Sequence, residues 1–361
     1  MADQRLFEFN PLRLAAWGVI FALTVTVLVV GRPLLVPLAI AIFVWILLSA
    51  IRSTLNRLLP AKQPAPVWLG NLVAILIVAV ATYLSVLMIT SQSDKLAAAI
   101  PVYQANFTAL LESLADRFNL EETPTIEALL AEVDLGAVLT WVGDSVTALM
   151  SDMVLIAIYV GFLLAEERLL PAKIRHLHRD PADADRTSNV ALEISASIQR
   201  YIGMKTVISL ATGLVSYVIL TIVGVDFAAI WALLVFFLNF IPTIGSIVAA
   251  VFPALLTLVQ FDSITPFLVV ISLLGGTQFV FGNVIEPAYM GKSLNLSSLM
   301  ILLALSFWGV VWGLAGMFLA VPIMVMTGII CAQFKGLRWI AVILSTDGSL
   351  VSDMRSERAS T

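Results

Sequence analysis

The sequence predicts an all-α, multi-span integral membrane protein. It should have about six clear transmembrane helices, two long apolar tracts that are broken or folded back, and a small extracytoplasmic helical hairpin. Three observations predict this. Hydrophobic residues make up 60% of the 361 positions and charged residues only 12%, with a mean hydropathy of +1.01; a soluble domain typically has about a quarter of its residues charged. The apolar residues are gathered into runs of span length, about 20 residues each. Two tracts, 227–260 and 296–330, are each about 34 residues long and carry helix breakers near the middle.

Taken in chain order, the candidate spans are 14–31, 34–51, 67–90, 145–165, 202–223 and 264–282. The first apolar run is followed by Gly31-Arg32-Pro33 and a second long apolar segment, without a small-x-small cleavage site, so it reads as a retained span and not a secretion signal. As an unbroken helix either long tract would be a rod of roughly 50 Å against a hydrocarbon core of ~30 Å. Each must therefore tilt, break or fold back. The breakers are Pro242 to Gly245 in the first tract and Gly309, Gly313 and Gly316 in the second.

Lys and Arg placement sets the orientation. With the N-terminus in the cytoplasm, the inner segments collect Arg5, Arg13, Arg52, Arg57, Lys62, Arg168, Lys173, Arg175, Arg179, Arg186, Arg200, Lys205, Lys292, Lys335, Arg338, Arg355 and Arg358. Only Arg32, Lys95 and Arg117 fall outside, and the C-terminus is also cytoplasmic. The parity holds only if both long tracts return to the side they entered from. The resulting organisation is an N-terminal set of spans over 1–90, an acidic extracytoplasmic segment over 91–144, a fourth span and a cytoplasmic loop over 145–201, a C-terminal membrane core over 202–345, and a tail over 346–361, expected to be disordered.

In the external segment Leu96, Ile100, Tyr103, Phe107, Leu110, Leu114 and Phe118 recur at three- and four-residue spacing, one stripe of a helix. Thr123-Pro124 marks a second helix start. The stripe either packs on that second helix or meets neighbouring copies of the chain. The loop after the fourth span, "EERLLPAKIRHLHRDPADADRTS", reads as a solvated connector.

Enzymatic signals are poor. The single Cys331 permits neither an intrachain disulfide nor a cysteine metal cluster, and His176 and His178 share one polar loop, so no metal or cofactor is expected. "GKS" at 291–293 resembles the end of a phosphate-binding loop, but Glu286 occupies the position of the required first glycine. A net charge of −4 leaves no basic face for nucleic acid.

Polar residues inside the breaks carry more information. Backbone groups freed by a break cost several kcal/mol each in hydrocarbon, so a break persists where protein or water surrounds it. Asn239, Pro242, Thr243, Gly245 and Ser246 mark one such site. Gln278, Asn283, Glu286 and Pro287 mark a second, with Glu286 either a functional carboxylate or a water-line partner of Lys292. Glu286 and Asp226 are the candidate ion-coupling carboxylates; Asp226 and Asp262 otherwise read as solvated turn residues flanking the first tract. Gly309, Gly313 and Gly316 read as helix-packing or hinge positions, with Trp308 and Trp312 on one face beside them.

The blocks "LNFIPTIGSIVAAVFPA", "GNVIEPAYMGKSLNLS" and "FWGVVWGLAGMFLAVPI" resemble the signature blocks of the autoinducer-2 exporter family of membrane transporters, in the same order and over residues 12–345. The resemblance falls on Asn239, Pro242, Gly245, Glu286, Pro287, Gly291, Gly309, Gly313, Gly316 and Pro322. Ala288 and Thr243 depart from it, standing where a basic and an aromatic residue are common. It implies a multi-pass bacterial inner-membrane protein, a homo-oligomer (a pentamer), and export of a small polar signalling metabolite. Other relatives are assigned sodium or lithium exchange for protons. A non-transporting oligomeric scaffold is the third reading.

Overall fold

The computed structural model describes residues 11–58, 66–118, 152–177, 180–261, 263–290, 296–334 and 336–348, and every regular element among them is helical. The order is α1 (Pro11–Val30), α2 (Arg32–Leu58), α3 (Val67–Phe118), α4 (152–166), α5 (Leu170–Leu177), α6 (Pro181–Val223), α7 (Ala228–Leu238), α8 (Ile244–Gln260), α9 (Thr265–Val280), a wider π-helical turn (Phe281–Ile285), α10 (Glu286–Met290), α11 (Ser298–Gln333) and α12 (Arg338–Leu344). Among the described residues five stretches are long and apolar enough to cross a membrane: Arg32–Asn56, Val67–Gln92, Pro181–Val223, Thr265–Tyr289 and Ser298–Gln333. Shorter apolar helices, among them Ala228–Leu238 and Ile244–Gln260, complete a multi-span membrane fold.

Both double-length tracts fold back. In the first, α7 has 11 residues and α8 has 17, and the two pack against each other. Eleven residues reach about 16 Å, half the hydrocarbon thickness. Between them Thr243 adopts φ 61°, ψ −63°, and Ile244 N–H donates to the Pro242 carbonyl at 2.6 Å. That is a γ-turn of the rarer, strained hand. The reversal is so tight that a Cβ on Gly245 would lie 1.7 Å from the Leu238 carbonyl oxygen.

The second reversal is at Gly313, whose φ of 64° and ψ of −142° are open only to glycine. Eight residues of straight helix cover about 12 Å. Yet a Cβ on Gly316 would sit 1.9 Å from the Trp308 carbonyl oxygen, and one on Gly309 would sit 2.9 Å from the Met317 methyl. The arms 298–312 and 314–333 therefore run side by side as a second hairpin. Small residues at 309 and 316 serve this self-packing. Trp308 and Trp312, 4.7 Å apart between ring centroids, belong to the same packing, and Trp312 Nε1 donates to the Leu28 carbonyl at 3.0 Å.

The hairpins meet inside the protein. Ile241 of the first tip packs with Leu305 and Ala320, one from each arm of the second. Phe240 and Phe318 lie 4.9 Å apart, and Phe43 of α2 lies 4.7 Å from Phe318. Ring pairs of this kind add about 0.5–1.5 kcal/mol each beyond the area they bury. The main cluster joins these rings to Ile46 of α2, Tyr201 and Ile202 of α6, and Val321 and Val325 of α11.

Two sequence expectations change. The span 67–90 and the striped external helix are one continuous helix of 52 residues, which extends about 40 Å past the apolar part. The stretch 88–100 contains no glycine or proline; the drop in hydropathy at 91 changes what surrounds the helix and leaves its backbone bonds intact. The stripe's first part docks on the mouth of the first hairpin: Tyr103 Oη donates to Asp226 Oδ2 at 2.6 Å, and Asn106 Nδ2 to the Val259 carbonyl at 2.7 Å. The Tyr103 phenol is held above its usual range, by partial burial first and then by the hydrogen bond and charge of Asp226, so it stays a donor. The second external helix, from Thr123, lies outside the described residues, as does the tail from 349.

The connector after the fourth span is largely helical as well. Asp180 caps α6 by accepting from Ala182 N–H at 2.9 Å, with Pro181 at the first helical position. Its alternating charges line exposed helix faces. Nearby, the Arg52 guanidinium of α2 binds Glu167 and Asn71, and Trp45 Nε1 donates to Glu167 at 3.1 Å, which ties α2, α3 and the end of α4 together.

Glycine scanning checks the two reversals. Gly245→Ala and Gly316→Ala each push a methyl into backbone and should lower the unfolding midpoint of the purified protein by at least several degrees, or abolish folded protein. Gly276→Ala in α9 has nothing within 4 Å of the new Cβ. It should be neutral or stabilising by up to about 1 kcal/mol, the usual helix preference for alanine. Equal behaviour of all three would remove the hairpin geometry.

Candidate functional site

The centre of the molecule is organised by one face of α6. Tyr201, Lys205, Ser209, Thr212 and Ser216 recur at spacings of four, four, three and four, and all are buried. That is a polar stripe on a helix whose other residues are mostly apolar. Sequence reasoning missed it and placed Lys205 at the end of a cytoplasmic loop. The three- and four-residue recurrence of hydroxyls through 209–216 was the signal available.

The first hairpin delivers Asn239 to this stripe. Asn239 is buried at the end of α7, and its Nδ2 donates to Ser209 Oγ at 2.9 Å. Of the other residues at the break, Gly245 is buried against the turn, Pro242 and Ser246 are partly buried, and Thr243 is exposed at the tip without capping α8.

On α9, which also packs against α6, Gln278 is buried, and its Oε1 has no hydrogen-bond partner among the described residues. Ser216 Oγ on α6 and Trp231 Nε1 on α7 are likewise buried without partners. An unsatisfied buried polar atom costs about 1–3 kcal/mol, and such atoms persist where a ligand or water supplies the missing bond. Gln278 and Asn283 are not brought together: Gln278 is buried, whereas Asn283 is exposed and donates to the Phe279 carbonyl at 3.2 Å. The π turn that starts at Phe281 and contains Asn283 shifts the helix face after Gln278, a local irregularity that recurs at functional sites.

Glu286 follows that turn. Among the described residues it is bound by Lys205 of α6, whose Nζ donates to Oε1 at 2.6 Å and to Oε2 at 2.7 Å; Lys292, the partner considered from the sequence, lies outside the described residues. The Lys205 side chain is 3% exposed and that of Glu286 23%. Removing one member of such a buried pair typically costs about 3–5 kcal/mol. Pro287 beside it is exposed.

Asp226 stands apart from these groups. It occupies the α6–α7 turn, where its N–H is bonded by Gln260 Oε1 at 2.9 Å and its carboxylate by Tyr103. Some 21 residues of α6 and its turn, roughly 30 Å, separate it from Lys205. The structure thus bonds Asn239 and Glu286 to one helix, α6, against which α9 with Gln278 also packs, and leaves Asp226 at the hairpin's mouth. Asp262 and the 291–293 "GKS" lie outside the described residues. Among the described residues no group of three or more His, Cys, Asp or Glu side chains could hold a metal ion.

Comparison with known proteins identifies the family of the chain. The family model for AI-2E family transporters matches residues 19–336, which include both hairpins and the whole of α6. The chain is 32% identical over 318 residues to the AI-2 transport protein TqsA of Escherichia coli strain K12, covering 86% of this chain and 89% of that protein. It is 29% identical over 317 residues to YhhT of the same organism, covering 86% and 88%. A transport protein of Borreliella burgdorferi is 29% identical over 246 residues, covering 68% and 67%. The chain belongs to the AI-2E transporter family.

Proposed function

We propose that this protein is a secondary exporter of a small, neutral, polar signalling metabolite, with autoinducer-2 as the reference cargo, across the bacterial inner membrane. The observation that carries the reading is the Asn239–Ser209 hydrogen bond at the tip of a hairpin half a membrane deep, with the orphaned Gln278 carbonyl on α9. A neutral polyol is recognised by hydroxyls and amides. The groups on offer are of that kind: Asn239, Ser209, Thr212, Ser216 and Gln278. The strained γ-turn at Thr243 adds to this, because backbone strain of about 1–3 kcal/mol tends to be kept at binding and switching sites.

In this reading both termini face the cytoplasm, the chain carries out transport without catalysing a reaction, and sister subunits form a homo-oligomer, a pentamer by family resemblance. The Val67–Gln92 span is 6% buried within the chain, and lipid and neighbouring subunits cover it. Cation–proton exchange is the second reading, favoured by one feature, the titratable Lys205–Glu286 pair inside the helical core.

Asn239→Leu should reduce export of autoinducer-2 at least tenfold at unchanged membrane abundance, measured as accumulation outside cells that carry only this exporter. Gln278→Leu should impair export in the same assay. Unchanged efflux in Asn239→Leu removes the site. For the second reading, sodium–proton exchange in inverted vesicles that survives Glu286→Gln combined with Asp226→Asn would exclude both carboxylates as coupling groups.

A further inference from the structure

Glu286 is the obvious place for a cation, and it is already taken. Both of its oxygens are bound by one ammonium, at 2.6 and 2.7 Å. The two partners are held differently. Lys205 lies within the continuous 43-residue helix α6 with its side chain 3% exposed. Glu286 begins the five-residue α10, directly after the π turn, and its side chain is 23% exposed. The carboxylate is therefore the member an incoming ion could reach, while the ammonium is sealed behind it.

We propose that Lys205 is a charge-selectivity residue: as a tethered cation it fills the Glu286 carboxylate, so the path presents no net charge and free monovalent cations are excluded from it. This rests on reading the Asn239–Gln278–Glu286 region as the path.

A free sodium or lithium ion gains the carboxylate only by displacing an ammonium attached to the same fold, which is at high effective concentration. Displacement would also strand the lysine charge in a site shielded from bulk solvent, since its side chain is buried. A second, partly buried charge cluster among the described residues, Arg52 with Glu167, is closed on itself and offers Lys205 no second partner. A neutral hydroxylated cargo pays neither penalty. It can bond to Asn239 and Gln278 while the ion pair stays shut.

If Lys205 is what excludes ions, its removal must uncover an ion site. The measurement is the unfolding midpoint of the purified full-length protein in detergent, in choline, sodium or lithium chloride at equal ionic strength. Wild type should give the same midpoint in all three. Lys205→Met should be destabilised in choline chloride and rise by roughly 3 °C or more in sodium or lithium chloride, as a ligand that binds only the folded state requires. The rise should vanish in Lys205→Met combined with Glu286→Gln. Folding of Lys205→Met in sodium chloride alone is the same result in stronger form. The exchanged pair, Lys205→Glu with Glu286→Lys, restores a tethered cation and should respond to neither salt. If Lys205→Met cannot be purified in any salt, Lys205→Gln replaces it.

A wild-type midpoint that rises in sodium or lithium chloride and loses the rise in Glu286→Gln overturns the assignment, as does a lysine-free variant indifferent to salt. A salt-responsive wild type leaves the Asn239 export result standing. Unchanged export in Asn239→Leu removes the path and this assignment with it.

Discussion

A peptide group in hydrocarbon has no water to bond to, and this single constraint dictates the architecture. Two interruptions of the helical backbone, around Thr243 and at Gly313, can exist only where protein or water surrounds them. The chain solves this by turning each interruption into a hairpin tip and packing the first tip against the arms of the second. Ile241 between Leu305 and Ala320, and Phe240 against Phe318, are the seal. The remaining helices form the wall around it: α2 contributes Phe43 and Ile46, and α6 contributes Tyr201 and Ile202.

Inside that seal the polar groups are few and placed on one helix. The α6 stripe has a hydroxyl or amine at nearly every turn from 201 to 216, and two neighbouring elements bond to it through one side chain each: α7 through Asn239, α10 through Glu286. Such a layout keeps α6 fixed by its length while the elements that touch it are short or irregular. α7 ends in a strained turn, and α10 follows a π turn. The asymmetry between a rigid column and interrupted partners is the geometry from which a path with two accessible states can be built.

Much of this was legible in the amino-acid order. Proline and glycine in tracts too long for one crossing announced both reversals, because local steric rules need no knowledge of neighbours. Asn239 was legible for the same reason: a buried amide beside a break must find a partner. The Lys205–Glu286 pair was not, since the two residues are 81 positions apart and each alone looks like a boundary charge. Lys205 was assigned to water because lysines at helix ends ordinarily snorkel there, and only the tertiary fold shows that this one points inward. The length of α3 was misjudged on hydropathy, which reports surroundings and not backbone continuity. Its docking through Tyr103 and Asn106 onto the hairpin mouth depends on contacts 123 and 153 residues away.

The mirror pairing about Gly313, with Gly309 facing Met317, Gly316 facing Trp308, and Leu305 sharing a cluster with Ala320, has a consequence for how such chains can vary. One inserted or deleted residue in either arm would rotate everything beyond it by about 100°, swinging a bulky side chain to where a bare Cα is needed. Paired length changes, one in each arm and equidistant from the apex, would preserve the match. Across related proteins the two arms should therefore keep a common length, while the stretches joining one span to the next are free to grow or shrink.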